Sequence, residues 1–152
     1  MVNTRFIPML IGSFSLALAA CGPGGSSDSA GESAGAEESV DINALIANAD
    51  LKRGEMLFLQ CRACHSLAAG EANKVGPNLH GMFGRNAGLA PGFAYSDALV
   101  NADVTWSAET LNQFLAGPSQ FIPGNRMVFI GVRKPADRGS LIAFLQQATA
   151  AD

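Results

Sequence analysis

Cys61-Arg62-Ala63-Cys64-His65 is the stretch whose reading decides this chain. Two thiols three positions apart, followed at once by an imidazole, match a c-type haem attachment site. Each cysteine can add to one vinyl group of a porphyrin, and the adjacent histidine is then placed beneath the iron as an axial ligand. Two other readings compete. A zinc site needs a second pair of ligands at finger or ribbon spacing, and the remaining Cys21 and His80 stand far apart. A redox Cys-x-x-Cys belongs in a βαβ pattern, and no such pattern is visible.

The sequence around this pentapeptide divides into three parts: residues 1–20, 21–40 and 41–152. Residues 6–20 are nearly all apolar or small and follow a single base, Arg5. Fifteen such residues fall short of the roughly 20 that a membrane span needs, and the pattern reads as a secretory signal. Its end, Leu18-Ala19-Ala20-Cys21, resembles the lipobox of bacterial lipoproteins, in which the cysteine is lipidated and becomes the mature N-terminus. An ordinary Ala-x-Ala cleavage and an uncleaved signal anchor are the alternatives. Lipidation of Cys21 accounts for all three cysteines and leaves no exposed thiol in an exported protein. The expected location is the periplasmic face of a bacterial membrane.

Residues 21–40 are rich in Gly, Ser, Ala and Glu and lack large apolar side chains, the composition of a flexible linker. About twenty such residues have a root-mean-square reach of roughly 25 Å. The net charge of −3 comes from this region and its border, which hold Asp28, Glu32, Glu37, Glu38 and Asp41 without a base. From residue 42 onward nine bases face eight acids, so no nucleic-acid footprint is present.

Order is expected from about residue 41. Asp41 has the chemistry of an N-cap for a helix with Ile42, Leu45 and Ile46 on one face. A second helix is expected over residues 50–60, with Leu51, Leu57 and Phe58 buried. Whether these two helices are continuous stays open. Gly54 within the second marks either close approach by another element or a kink. Residues 66–103 show little periodicity and are punctuated by glycine and proline. A loop this long is unusual in a compact domain, unless a large rigid cofactor supplies the missing core. Thr105 has the character of an N-cap for a helix over 106–115, Pro123-Gly124 of a turn, and residues 137–148 of a last helix with Leu141, Ile142, Phe144 and Leu145 inward. With no strands of consequence, the class is all-α, with three to five helices and long loops around one haem.

A six-coordinate electron-transfer haem commonly pairs Met with His. Met56 lies on a helix face and reads as core. Met82, between His80 and Phe83, reads as packing against the ring. Met127, in the Pro-Gly loop, is the best placed to present a thioether.

From about residue 50 to 148 the chain resembles the class I, mitochondrial-type c cytochromes and their bacterial relatives. The resemblance is carried by the haem pentapeptide and by Val75-Gly76-Pro77-Asn78-Leu79-His80-Gly81-Met82-Phe83-Gly84-Arg85. It continues through Pro91-Gly92-Phe93-Ala94-Tyr95-Ser96, Thr105-Trp106, Pro123-Gly124-Asn125-Arg126-Met127-Val128-Phe129 and Leu141-Ile142-Ala143-Phe144-Leu145. It implies the cytochrome c fold and one haem c per chain, attached through Cys61 and Cys64, with His65 and Met127 as iron ligands. It also implies that the Pro77 carbonyl accepts from His65. Tyr95 and Trp106 would donate to a buried propionate, with Arg85 as the nearby cation. His80 would bond a neighbouring loop backbone, and Gly54 would lie where the first and last helices cross, against Phe144. Two positions depart from the pattern. Phe114 replaces a Tyr and Leu99 an Asn, which removes partners for an internal water and implies a drier distal side. The lysine ring of mitochondrial forms is thinned to Lys74, Arg126, Arg133, Lys134 and a few others.

The function implied is a monomeric one-electron carrier, not an enzyme, tethered to a bacterial membrane. Its partners would be a quinol-oxidising cytochrome complex and a terminal oxidase or photosynthetic centre. A dedicated electron-accepting subunit of a periplasmic dehydrogenase is the alternative, and a haem peroxidase or gas sensor a further one that requires an open iron site.

Overall fold

The computed structural model describes residues 41–151. The expected signal, lipidated Cys21 and linker lie outside the described residues.

The described chain forms α1 (Ile42–Ala47), α2 (Leu51–Arg62), α3 (Asp97–Val100), α4 (Ala108–Ala116), α5 (Pro118–Phe121) and α6 (Pro135–Ala148). The only β-bridge among these residues is an isolated one between Asn86 and Thr105. The all-α class stands, with six helices in place of three to five. The surplus is α3 and α5, each four residues long, too short to leave a periodic signal.

Asp41 caps α1 by accepting from the backbone N–H groups of Asn43 and Ala44 at 3.0 and 3.1 Å. The helix ends at Asn48, and Asp50 caps α2 through Arg53 N–H, so the two helices are separate. α2 crosses α6 at Gly54. A Cβ on Gly54 would collide with the Ser140 carbonyl and stand 2.7 Å from Phe144 Cβ, so the glycine is there for close approach and not as a kink. Around the crossing Phe58, Leu141, Ile142 and Leu145 are buried, each contributing about 1.5–3 kcal/mol through removal from water. Arg53 adds a two-pronged ion pair to Asp137 on α6, at 2.9 and 2.8 Å.

Four sequence expectations differ from the structure. Leu51 is not buried but 40% exposed, and Met56 is not core but 55% exposed. Leu51 is the first residue of α2 and Met56 points to solvent, and apolar character alone does not report burial. The cap of α4 is Ser107 and not Thr105: Ser107 and Thr110 form a reciprocal capping box. Thr105 instead pairs with Asn86, which leaves Trp106 before the helix, on an extended segment. α6 begins at Pro135, two residues earlier than expected, because proline is well suited to the first helical turn.

Residues 66–96 contain no helix. Asn78 organises much of this stretch. Its side chain donates to the carbonyls of Ala68 and Glu71, both at 2.8 Å, and accepts from His80 N–H at 2.8 Å. A short ladder then joins 84–87 to 104–106: Gly84 N–H to Trp106 O, Trp106 N–H to Arg85 O and Ala87 N–H to Val104 O, at 2.8–3.0 Å.

Candidate functional site

The last turn of α2 carries Cys61, and the chain continues through Ala63 in helical conformation. Backbone N–H groups of Cys64 and His65 both donate to the Cys61 carbonyl at 2.9 Å. One helical turn therefore brings Cys61, Cys64 and His65 together, since positions three and four apart share a face. Helix ends leave carbonyls without partners; here Lys74 Nζ donates to those of Arg62 and His65, at 3.1 and 3.3 Å. Gly76 N–H donates to Cys64 O at 2.8 Å, drawing the following loop back over the motif.

That return places Pro77 beside His65. The His65 Nδ1 lies 2.8 Å from the Pro77 carbonyl. With Nδ1–H donating, Nε2 keeps its lone pair, the tautomer an iron ligand requires. Burial holds the imidazole below its ordinary pKa; the Pro77 bond opposes this and Lys74 reinforces it. Burial thus favours the neutral ring. A side chain at Gly76 would run into the ring, with Cβ only 2.8 Å from Nδ1. Burial, together with the neighbouring Cys64, pushes the Cys61 thiol up to about 11.

His65 and both cysteines form one wall of a cavity of about 570 Å³. Its remaining walls are mostly apolar, among them Phe58, Leu79, Met82, Leu99, Leu111, Phe114, Leu141 and Leu145. Arg85, Tyr95, Trp106 and Met127 line it as well. The 84–106 ladder puts Trp106 next to Arg85, and Arg85 Nη1 is held by the His80 carbonyl at 3.1 Å. Burial raises the Tyr95 hydroxyl pKa, while the Ala90 backbone and the Arg85 charge work the other way. Tyr95, Trp106 and Arg85 thus bring two neutral donors and a cation to one cavity, a set suited to carboxylates that would otherwise be costly to bury. Phe114 meets Trp106 edge-on at 5.1 Å, so the position expected to lose a hydroxyl is filled by packed aromatic surface.

The loop bearing Met127 runs from α5 to α6. Asn125 fixes its entry by donating to the carbonyls of Pro118 and Ile122 at 2.8 and 2.7 Å and accepting from Met127 N–H at 2.9 Å. Arg126 reaches across to the Ala94 carbonyl at 3.1 Å, tying this loop to the one that carries Tyr95. Met82 and Met127 both reach the cavity, so geometry by itself offers two thioethers. Met82 is 5% exposed and embedded in the core, whereas Met127 is half-buried on its loop.

For His80, the contacts found are made by the backbone; the ring-to-loop bond implied by the resemblance is not among them. Asn78, Asn125 and Arg138 hold the site's loops together and carry no role in the sequence reading. Asparagine within glycine- and proline-dense sequence is the signal for the first two, because its side chain can replace missing backbone partners. Arg138 leaves no such trace.

The cavity's volume lies in the ~300–1,000 Å³ range of cofactor pockets. Apolar walls, a thiol pair for covalent attachment, a neutral imidazole and a cluster of carboxylate-binding groups are the donor set a haem c requires, and the residues present fit it.

Sequence comparison points the same way. No family model matches the chain. The cytochrome c of Chlamydomonas reinhardtii is 52% identical over 102 residues, covering 66% of this chain and 91% of that protein. The cytochrome c of Cochliobolus lunatus is 48% identical over 101 residues, with 66% and 94% covered. That of Arabidopsis thaliana is 46% identical over 101 residues, with 66% and 90% covered. With near-complete coverage of proteins this similar, and with the fold and cavity described above, the chain belongs to the class I cytochrome c family.

Proposed function

We infer that this protein is a one-electron carrier that holds one haem c through Cys61 and Cys64, with His65 and Met127 as axial ligands, and that works tethered to a bacterial membrane. When bound, the haem supplies an iron that accepts and releases a single electron. The observation that carries the reading is the single cavity wall of two thiols and a Pro77-oriented imidazole, in a cavity that Met127 also lines. His65 and Met127 would fill both axial positions, which keeps substrate from the metal and makes transfer the protein's only chemistry. Arg85, Tyr95 and Trp106 would hold the propionates, while Phe114 and Leu99 exclude water. Electrons would pass where Val75 and Val128, 82% and 102% exposed, stand at the cavity's edge.

Met127 is chosen over Met82 because it occupies the ligand position of the Pro-Gly-x-x-Met motif and rides on a loop tied down beside it. Optical spectra of the ferric protein test the choice. The sulfur-to-iron charge-transfer band should persist in Met82→Leu and vanish in Met127→Ala; the reverse pattern would transfer the ligand role to Met82.

The membrane reading rests on residues 1–40: a signal over 1–20, lipid on Cys21, and a linker over 21–40 leading to the haem domain at 41–152. Among the described residues no helix is long and apolar enough to cross a membrane. The tether would raise the effective concentration near membrane partners; a quinol-oxidising cytochrome complex as donor and a terminal oxidase or photosynthetic centre as acceptor suit that placement. Cys21→Ser should move the holoprotein from the membrane fraction to the soluble one, and continued sedimentation with membranes would point to an uncleaved anchor.

A further inference from the structure

The loop between α5 and α6 has no helix of its own from residue 123 to 134, yet it must hold a thioether at a fixed point. Its entry is fixed by Asn125, two residues before Met127. Its middle is loosely held: Val128 and Ile130 are 102% and 80% exposed, and the one backbone bond found there is Phe129 N–H to Met127 O, at 3.1 Å. Its exit is fixed again. Val132 N–H donates to Leu115 O at 2.7 Å, and Gly131, at φ 102°, brings its backbone against the Ala116 carbonyl where a Cβ would clash. Arg138 closes this end. Only 7% exposed, it donates from Nη1 to the carbonyls of Val132 and Arg133 at 2.8 and 3.0 Å, and from Nε to Asn112 Oδ1 at 2.7 Å. One guanidinium thus joins the ligand loop to α4 and α6 together.

We propose that Arg138, itself held by Asn112, is a positioning residue that latches the exit of the loop and thereby keeps the Met127 thioether in place. It touches neither the cavity nor Met127 and acts only through the backbone of Val132 and Arg133. The proposal rests on the reading of Met127 as an axial ligand. Without the latch, the exit would be held only by the Val132–Leu115 bond and the Gly131 contact, while Asn125 and Arg126 hold the entry, and excursions of the thioether from the cavity would become more frequent. An external ligand competing for the same position reads that frequency, because its apparent affinity scales with the fraction of competent protein.

The test uses the ferric holoprotein, with imidazole as the competing ligand and the sulfur-to-iron band as a second readout. Arg138→Met keeps length and bulk but removes the donors. It should tighten apparent imidazole affinity at least about tenfold, the factor equivalent to one lost bond from a charged donor, and weaken the band. Asn112→Ala, which leaves Arg138 in place but unsupported, should tighten it about threefold. Arg138→Lys should restore part of the loss. Arg53→Met breaks the α2–α6 ion pair and serves as a control for general destabilisation; its imidazole affinity should stay at the wild-type value. Should Arg138→Met fail to yield holoprotein, Asn112→Ala decides alone. Imidazole affinities within twofold of wild type in the latch variants, or an equal effect from Arg53→Met, would overturn the latch. A wild-type protein lacking the sulfur-to-iron band would instead overturn the Met127 reading beneath it.

Discussion

Where α2 crosses α6, apolar contact is continuous: Gly54 lies under Phe144, and Leu141 and Ile142 are fully buried beside it. Along residues 66–96 and 123–134 the chain is held differently. There Asn78, Lys74, Asn125, Arg126 and Arg138 reach from side chain to backbone carbonyl, and the surfaces those loops turn inward face the cavity more than one another. The helical frame could be built from burial alone. The loop half supplies positioned polar groups and the cavity walls that the helices do not, and its stability is expected to depend on what those walls enclose. A domain of this size buries a modest share of its surface, so the cofactor is expected to contribute core and chemistry together.

The sharpest way to break this comparison is to prevent attachment. A Cys61→Ala/Cys64→Ala chain, made without haem, should lose its cooperative thermal transition. Whatever hydrogen-exchange protection survives should be confined to α2 and α6. A native-like cooperative transition would mean that the loops support themselves. A more selective attack is Gly54→Val, whose side chain would have to displace Ser140 backbone and Phe144. Overpacking of this kind costs about 3 kcal/mol, measured by chemical denaturation of the holoprotein. Because the crossing lies in the frame, the ferric spectrum of the molecules still folded should be unchanged; a coupled loss of the sulfur-to-iron band would show that frame and loops are not separable. The smallest effect is expected at Met56. As an exposed residue on the outer face of α2, Met56→Gln should change stability by less than about 0.5 kcal/mol, whereas a core methionine would cost several times more.

The frame and the loops also differed in how far they could be read in advance. Periodicity and capping chemistry disclosed α1, α2, α4 and α6, because a helix that packs on one side repeats its apolar residues. The same reasoning failed where apolar side chains have no partner, at Leu51 and Met56. It also misplaced the α4 cap, where Ser107 and Thr105 are both hydroxyl residues and only the capping box separates them. In the loops no periodicity exists. The groups gathered at the cavity were legible through motif resemblance, since the meeting at one cavity of residues as distant in sequence as His65 and Met127 has no local signature. Asn78 and Asn125 could have been suspected from turn chemistry. Arg138 could not: it sits in a helix among charged neighbours, and its burial appears only when the exit of the Met127 loop folds back onto it.

The central claim is that His65, at the end of α2, and Met127, on its loop, would close both axial positions and so make a carrier. A potentiometric titration of the purified holoprotein, followed by optical spectroscopy, tests it most directly, with Met127→Ala alongside. The account predicts a single reversible one-electron wave, a sulfur-to-iron band in the oxidised wild type, and a much lower potential with no such band in the variant. An oxidised wild type without the band, or a variant with an unchanged potential, would contradict it.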